Sequence, residues 1–120
     1  MKKILIVDDE PNIVMTLEYT FKKSNYEVFI ARDGQEALDI LKTNFPDVII
    51  LDIMMPMVDG FATLEQIRKD PNLQHTKVMF LSAKNKESDI EKGLELGADA
   101  YMTKPFSIKK VVEKVEELLS

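Results

Sequence analysis

Short aliphatic runs alternate with stretches of helical periodicity from one end of this chain to the other. Ile4-Leu5-Ile6-Val7, Val48-Ile49-Ile50-Leu51 and Val78-Met79-Phe80-Leu81 are unbroken apolar runs, the pattern of a strand covered on both faces. With two weaker runs they predict strands over residues 3–7, 27–31, 47–51, 77–81 and 99–102. The intervening spacing predicts helices over residues 11–24, 34–44, 59–69 and 86–96, and a last one over 106–119. That last segment is the clearest. Ile108, Val111, Val112, Val115, Leu118 and Leu119 form one apolar stripe, with Lys and Glu elsewhere. The first helix places Ile13, Leu17, Thr20, Phe21 and Ser24 on one face. Ile13, Val14 and Met15 are consecutive, so they cannot all face one core, and at least one must reach solvent.

Turn residues agree with this division. Pro11 suits the first turn of a helix, where its missing N–H costs nothing. Asp33-Gly34 marks a strand-to-helix turn. Pro46 is expected to stop the second helix before the third strand. Asp59-Gly60 follows a loop containing Pro56, and Gly97 fits a left-handed helix end. Strict alternation of strand and helix gives a parallel sheet with helices on both faces. Residues 1–120 are expected to form one α/β domain, doubly wound with five strands in the order 2-1-3-4-5. Ligands in such sheets bind beyond the carboxyl ends of the strands.

Composition narrows the field. No cysteine is present among the 120 residues, which excludes disulfides and thiolate metal sites. The net charge is −5 with both signs interspersed, so the basic footprint needed for direct nucleic-acid binding is missing. The first aliphatic run is cut off by Asp8 and Asp9, too soon for a signal peptide or a membrane span. A cytoplasmic protein with no membrane contact is expected.

The chemistry lies at the strand ends. Asp8 and Asp9 end the first run, Asp52 the third, Ser82 the fourth, and Lys104 follows the fifth. In the order 2-1-3-4-5 these positions meet at one edge of the sheet. Mg²⁺ is a hard ion that takes carboxylate oxygens and keeps several waters. Asp9 and Asp52 would supply carboxylates, Asp8 would act directly or through a water, and the Met54 backbone carbonyl would close the shell. Without a cation the carboxylates repel one another and raise one another's pKa. Asp52, central in the group, is the expected phosphoryl acceptor. Lys104 and the ion would neutralise the transferring group, and Ser82 would donate its hydroxyl to it. His75, the only histidine, sits in a polar stretch and reads as a surface loop residue. Taken singly, each residue has an ordinary role: helix capping for Asp8, Asp9 and Glu10, a turn for Asp52, an N-cap for Ser82, a surface position for Lys104. Met54, Met55 and Met57 read as loop packing rather than as a soft-metal site, since no Cys or nearby His completes one.

Asp8-Asp9, Leu51-Asp52-Ile53-Met54-Met55-Pro56, Ser82-Ala83 and Lys104-Pro105-Phe106, in this order, resemble a two-component response-regulator receiver domain of the single-domain, chemotaxis type. The likeness covers essentially the whole chain. It implies a flavodoxin-like fold and Mg²⁺ as cofactor. It also implies phosphoryl transfer to Asp52 from a sensor histidine kinase or a histidine phosphotransfer protein. Ser82 and Tyr101 would be the switch pair, although Tyr101 alone reads as packing. Lys104–Pro105 would be a cis bond. Met54 and Lys84 would modulate the lifetime of the phosphate. The face made by the fourth helix, fifth strand and fifth helix would act on a downstream protein target or a missing output domain. The exposed part of Ile13-Val14-Met15, completed by Pro105 and Phe106, reads as a kinase-docking patch. Such a protein catalyses its own phosphorylation and dephosphorylation and is not a turnover enzyme.

Two other functional classes share part of this pattern. A phosphatase of the haloacid-dehalogenase type shares the aspartate, the Mg²⁺ and the lysine, but wants a second aspartate where this chain has Met54. A flavodoxin-like cofactor carrier would place a phosphate loop after the first strand, where Asp8-Asp9-Glu10 would repel an FMN phosphate.

Overall fold

The computed structural model describes all 120 residues, Met1–Ser120. Five strands, β1 Lys3–Val7, β2 Glu27–Ala31, β3 Val48–Leu51, β4 Lys77–Ser82 and β5 Ala100–Thr103, form one parallel sheet in the order β2-β1-β3-β4-β5. Five α-helices connect and follow them: α1 Pro11–Lys23, α2 Gly34–Ile40, α3 Gly60–Lys69, α4 Glu87–Glu95 and α5 Ile108–Leu119. This is the expected doubly wound, flavodoxin-like architecture.

Alternate residues of the central strands supply two cores. Leu5, Val7, Ile49, Leu51, Val78 and Phe80 pack with Ala37 and Leu41 of the α2 region and with Phe61, Leu64 and Ile67 of α3. Ile4, Ile6, Val48, Ile50, Met79 and Leu81 pack with Leu17 and Phe21 of α1 and with Val111 and Val115 of α5. The continuous aliphatic runs are explained by this two-sided burial. The α5 stripe lies as expected, with Ile108, Val112, Leu118 and Leu119 closing the second core.

Boundaries differ in places. α2 stops at Ile40, and the Asn44 backbone and side-chain N–H groups both donate to the Ile40 carbonyl, so Pro46 is not what ends it. α5 starts at Ile108, because the Ser107 hydroxyl accepts from the Lys110 N–H and caps it there. Ser24 is an exposed C-cap of α1 rather than part of its buried face. A short 3₁₀ turn, Pro71–Leu73, adds to the expected elements, and Asp70 caps it through the Asn72 N–H. Gly97 does end α4 with φ of +110°. Its N–H donates to the Leu94 carbonyl and the Ala98 N–H to the Gly93 carbonyl.

Candidate active site at the carboxyl edge of the sheet

Each candidate side chain stands at or just past a strand end. β1 hands over to Asp8 and Asp9, β3 to Asp52 and β5 to Lys104, while β4 ends on Ser82 itself. Val7 and Leu51 are register partners, so the residues after them emerge side by side. The ladders extend past the strands to hold these backbones, with Asp8 N–H on the Ala31 carbonyl at 3.1 Å and Asp52 N–H on the Val7 carbonyl at 2.9 Å.

Carboxylate oxygens of Asp8, Asp9 and Asp52 lie within 4.8 Å of one another. Asp8 and Asp52 are each 3% exposed, while Asp9 is open to solvent. The Lys104 ammonium reaches over them. It is 3.0 Å from Asp8 Oδ2, 3.0 Å from Glu10 Oε1 and 3.7 Å from Asp52 Oδ2. Backbone donors orient the buried carboxylates: Glu10 N–H to Asp8 Oδ1 at 2.9 Å and Ile53 N–H to Asp52 Oδ1 at 2.8 Å. The Met54 N–H also favours the ionised Asp52.

The charges do not balance, because one ammonium faces several carboxylates. Burial raises Asp8 above the usual aspartate value, against the Glu10 N–H and Lys104, which favour ionisation. Burial and the neighbouring Asp8 charge raise Asp52, against Lys104 and the two backbone donors. At Lys104 burial alone would lower the pKa. Its bonds to Asp8 and Glu10 and the field of Asp52 outweigh that, and the net shift is upward. The ammonium is thus over-subscribed and each aspartate under-compensated. An oxygen-only donor set with excess negative charge is what a hard divalent cation requires.

Ser82 is fully buried beside this cluster, and its Oγ accepts from the Lys84 N–H at 3.3 Å. It caps no helix. The Tyr101 hydroxyl donates to the Lys84 carbonyl at 2.7 Å, so Ser82 and Tyr101 are joined through the Lys84 backbone. Burial raises the Tyr101 pKa, with the Asp89 charge adding to it.

The chain matches the family model described as the response regulator receiver domain over residues 4–116. It belongs to that family. The chain is 47% identical over 118 residues to the alkaline phosphatase synthesis transcriptional regulatory protein PhoP of Bacillus subtilis (strain 168). The match covers 98% of this chain and 48% of PhoP, so the receiver sequence spans about half the length of that relative. Among solved structures it resembles the Francisella response regulator 1452 receiver domain at 37% identity and TM-score 0.91, covering 99% of this chain and 97% of that one. It also resembles the chemotaxis response regulator CheY4 of Vibrio cholerae at 30% identity and TM-score 0.93, covering 99% of both. The phosphatase alternative gains no support from these relationships.

Asp8, Asp9, Asp52, Lys104 and Ser82 come together. Ser82 and Tyr101 both bond to the Lys84 backbone, and Lys104–Pro105 is cis. His75 is exposed, just before β4 and so at the other end of the sheet from Asp52. Met15 is the exposed member of its triplet at 66%. The five docking residues, however, line two clefts. Ile13, Pro105 and Phe106 line one of about 520 Å³ with Glu10, Ala83 and Lys104. Val14 and Met15 line another of about 220 Å³ with Asp8, Asp9 and Arg32. Lys84 does not turn its ammonium to the acceptor; its charged partner is Asp89, at 4.0 Å. Glu10, taken from sequence as a helix cap, makes no side-chain cap and instead holds Lys104. No helix is long and apolar enough to cross a membrane.

Proposed function

We propose that this receiver domain is a phosphorylation-driven switch in which Asp52 takes a phosphoryl group from a phosphohistidine on a sensor kinase or phosphotransfer protein. The convergence of Asp8, Asp9, Asp52 and Lys104 around one buried carboxylate carries the reading. Mg²⁺ is the fitting cofactor, with Asp9, Asp52 and the Met54 carbonyl as ligands and Asp8 acting directly or through a water. When bound, it supplies positive charge against the phosphoryl oxygens and relieves the repulsion among the aspartates.

The chain's own groups do the rest. The Ile53 N–H holds Asp52 Oδ1, which leaves Oδ2, on the Lys104 side, as the nucleophile. Its lone pair forms the new O–P bond while the N–P bond of the donor breaks, and the electron pair leaves with the imidazole. Lys104, already 3.7 Å away, compensates charge on the transferring oxygens. Ser82 donates its hydroxyl to the attached group and draws on Tyr101, so the modification biases a two-state equilibrium. The change reaches the surface of α4, β5 and α5, where a downstream protein or an output domain reads it. Residues 1–120 act as one phosphoacceptor unit, in the cytoplasm, where a kinase meets it through the clefts beside Asp8 and Lys104. The chemistry is self-modification and its reversal, not turnover of external substrates.

Incubation with Mg²⁺ and acetyl phosphate, followed by intact-mass measurement, tests this. Wild type should gain one phosphoryl mass in a Mg²⁺-dependent way, and Asp52→Ala should gain none. Equal labelling of both proteins would place the acceptor elsewhere.

A further inference from the structure

We propose that Gly93 is a positioning residue of the Ser82–Tyr101 switch: its missing side chain leaves a seat for the Tyr101 ring and ties the orientation of that ring to α4. The inference rests on the reading of Tyr101 as a switch residue given above.

α4 is attached to the sheet differently from the other helices. Its one buried residue is a glycine, whereas α1 buries Leu17 and Phe21, and α3 buries Phe61, Leu64 and Ile67. A glycine inside a helix weakens it relative to alanine, so the position works against the helix's own stability. What the glycine allows is close approach. A Cβ at residue 93 would lie 3.0 Å from both Cδ2 and Cε2 of Phe80 and 3.2 Å from Cδ2 of Tyr101. The two rings, with centroids 5.7 Å apart, are the surface on which α4 rests.

The rings differ in freedom. Phe80 is fully buried and packed edge-on against Phe61 at 5.6 Å, so it has nowhere to go. Tyr101 is half-buried at the rim of the sheet, and its only hydrogen bond of good length is the one to the Lys84 carbonyl. A methyl group at residue 93 therefore demands a shift of a few tenths of an ångström, which the confined Phe80 ring resists and the Tyr101 ring or α4 itself must supply, and that shift loosens the bond to the Lys84 carbonyl. Coupling runs both ways: whatever turns Tyr101 unseats α4, and whatever holds α4 down favours the inward tyrosine. No large α4 side chain is locked in the core, since Leu94 is 46% exposed, and little opposes the movement.

The test uses the full chain with no phosphodonor and ring-labelled tyrosine, read by NMR. In wild type the Tyr101 ring should show cross-peaks to the Gly93 α-protons. In Gly93→Ala those contacts should be lost and the Tyr101 signals should move toward those of an exposed tyrosine. Glu91→Ala, on the exposed face of α4, should leave them unmoved. Tyr101→Ala, which empties the seat, should speed amide exchange in α4 and leave α5 unchanged. If Gly93→Ala is too unstable to study, this second variant decides. Unmoved Tyr101 signals in Gly93→Ala, or unchanged α4 exchange in Tyr101→Ala, would overturn the proposal. Because nothing is phosphorylated, failure here leaves the assignment of Asp52 standing, and failure of Asp52 labelling leaves the seat standing.

Discussion

The two ends of the sheet treat charge in opposite ways. At the amino-terminal end, Arg68 of α3 donates to the carbonyls of Gly97 and Thr76 at 3.0 Å each and to Asp99 Oδ2 at 3.0 Å. Asp99 also accepts the Val78 N–H at 2.8 Å, and Asp47 accepts the Lys3 N–H at 2.8 Å. One guanidinium meets one carboxylate, and the surrounding backbone groups are paired. At the carboxyl end, Lys104 alone serves Asp8, Glu10 and Asp52. The balanced end holds α3, β4 and the start of β5 together. The unbalanced end is left with excess negative charge, as the proposed cation site requires.

The contrast can be broken by experiment, and the largest effect is expected at the balanced end. Arg68→Ala leaves Asp99 and two carbonyls short of donors, and should cost about 3 kcal/mol. Urea denaturation would read this, with Mg²⁺ affinity unchanged. A variant as stable as wild type would show that the clamp carries no stability. Next comes Lys104→Met, which removes the cation's competitor. Mg²⁺ should bind about tenfold tighter, roughly 1.4 kcal/mol, while acetyl phosphate labelling slows. Weaker Mg²⁺ binding in calorimetry would contradict the claim that the ammonium and the ion share the same carboxylates.

Asp8→Asn comes third and has the opposite sign from most core changes. The folded pKa values of Asp8 and Asp52 are raised, so the folded chain holds these protons more tightly than the unfolded one. Their contribution to stability is therefore complete below the ordinary value of 3.8 and is lost as pH rises through the raised values. In metal-free buffer at neutral pH, Asp8→Asn should stabilise by on the order of 1 kcal/mol. The gain should shrink as the pH is lowered, and a gain independent of pH would point to packing instead. The smallest effect is expected for Lys114→Ala. This breaks only a surface pair with Glu117 and should change stability by less than about 0.5 kcal/mol. A larger loss would mean that exposed pairs matter here as much as the clamp.

The same two ends show what was legible in the sequence. β1, β3 and β4 announce themselves because both faces are buried, and with five strands alternating with helices the strand order leaves the carboxyl ends as the site. Asp8, Asp9, Asp52, Ser82 and Lys104 could be read because each sits at a strand end, where the backbone alone determines its direction. Glu10 could not, because its role depends on a side chain reaching Lys104, far along the chain. The Lys84 carbonyl under Tyr101 was hidden for a similar reason, since loop path is not a periodic signal. Arg68 sits on a helix face like any surface basic residue, and only the structure reveals its carbonyl partners. The early end of α2 and the late start of α5 follow from local capping by Asn44 and Ser107, which periodicity does not resolve.

The proposed switch depends on a cation bound among aspartates from two strands. Mn²⁺, a paramagnetic stand-in for Mg²⁺, can be titrated into ¹⁵N-labelled protein while amide signals are followed by NMR. Broadening should begin at Asp9, Asp52, Ile53 and Met54, be competed away by Mg²⁺, and disappear in Asp9→Ala. Broadening that begins at acidic residues elsewhere, with Asp9 and Asp52 untouched, would contradict it.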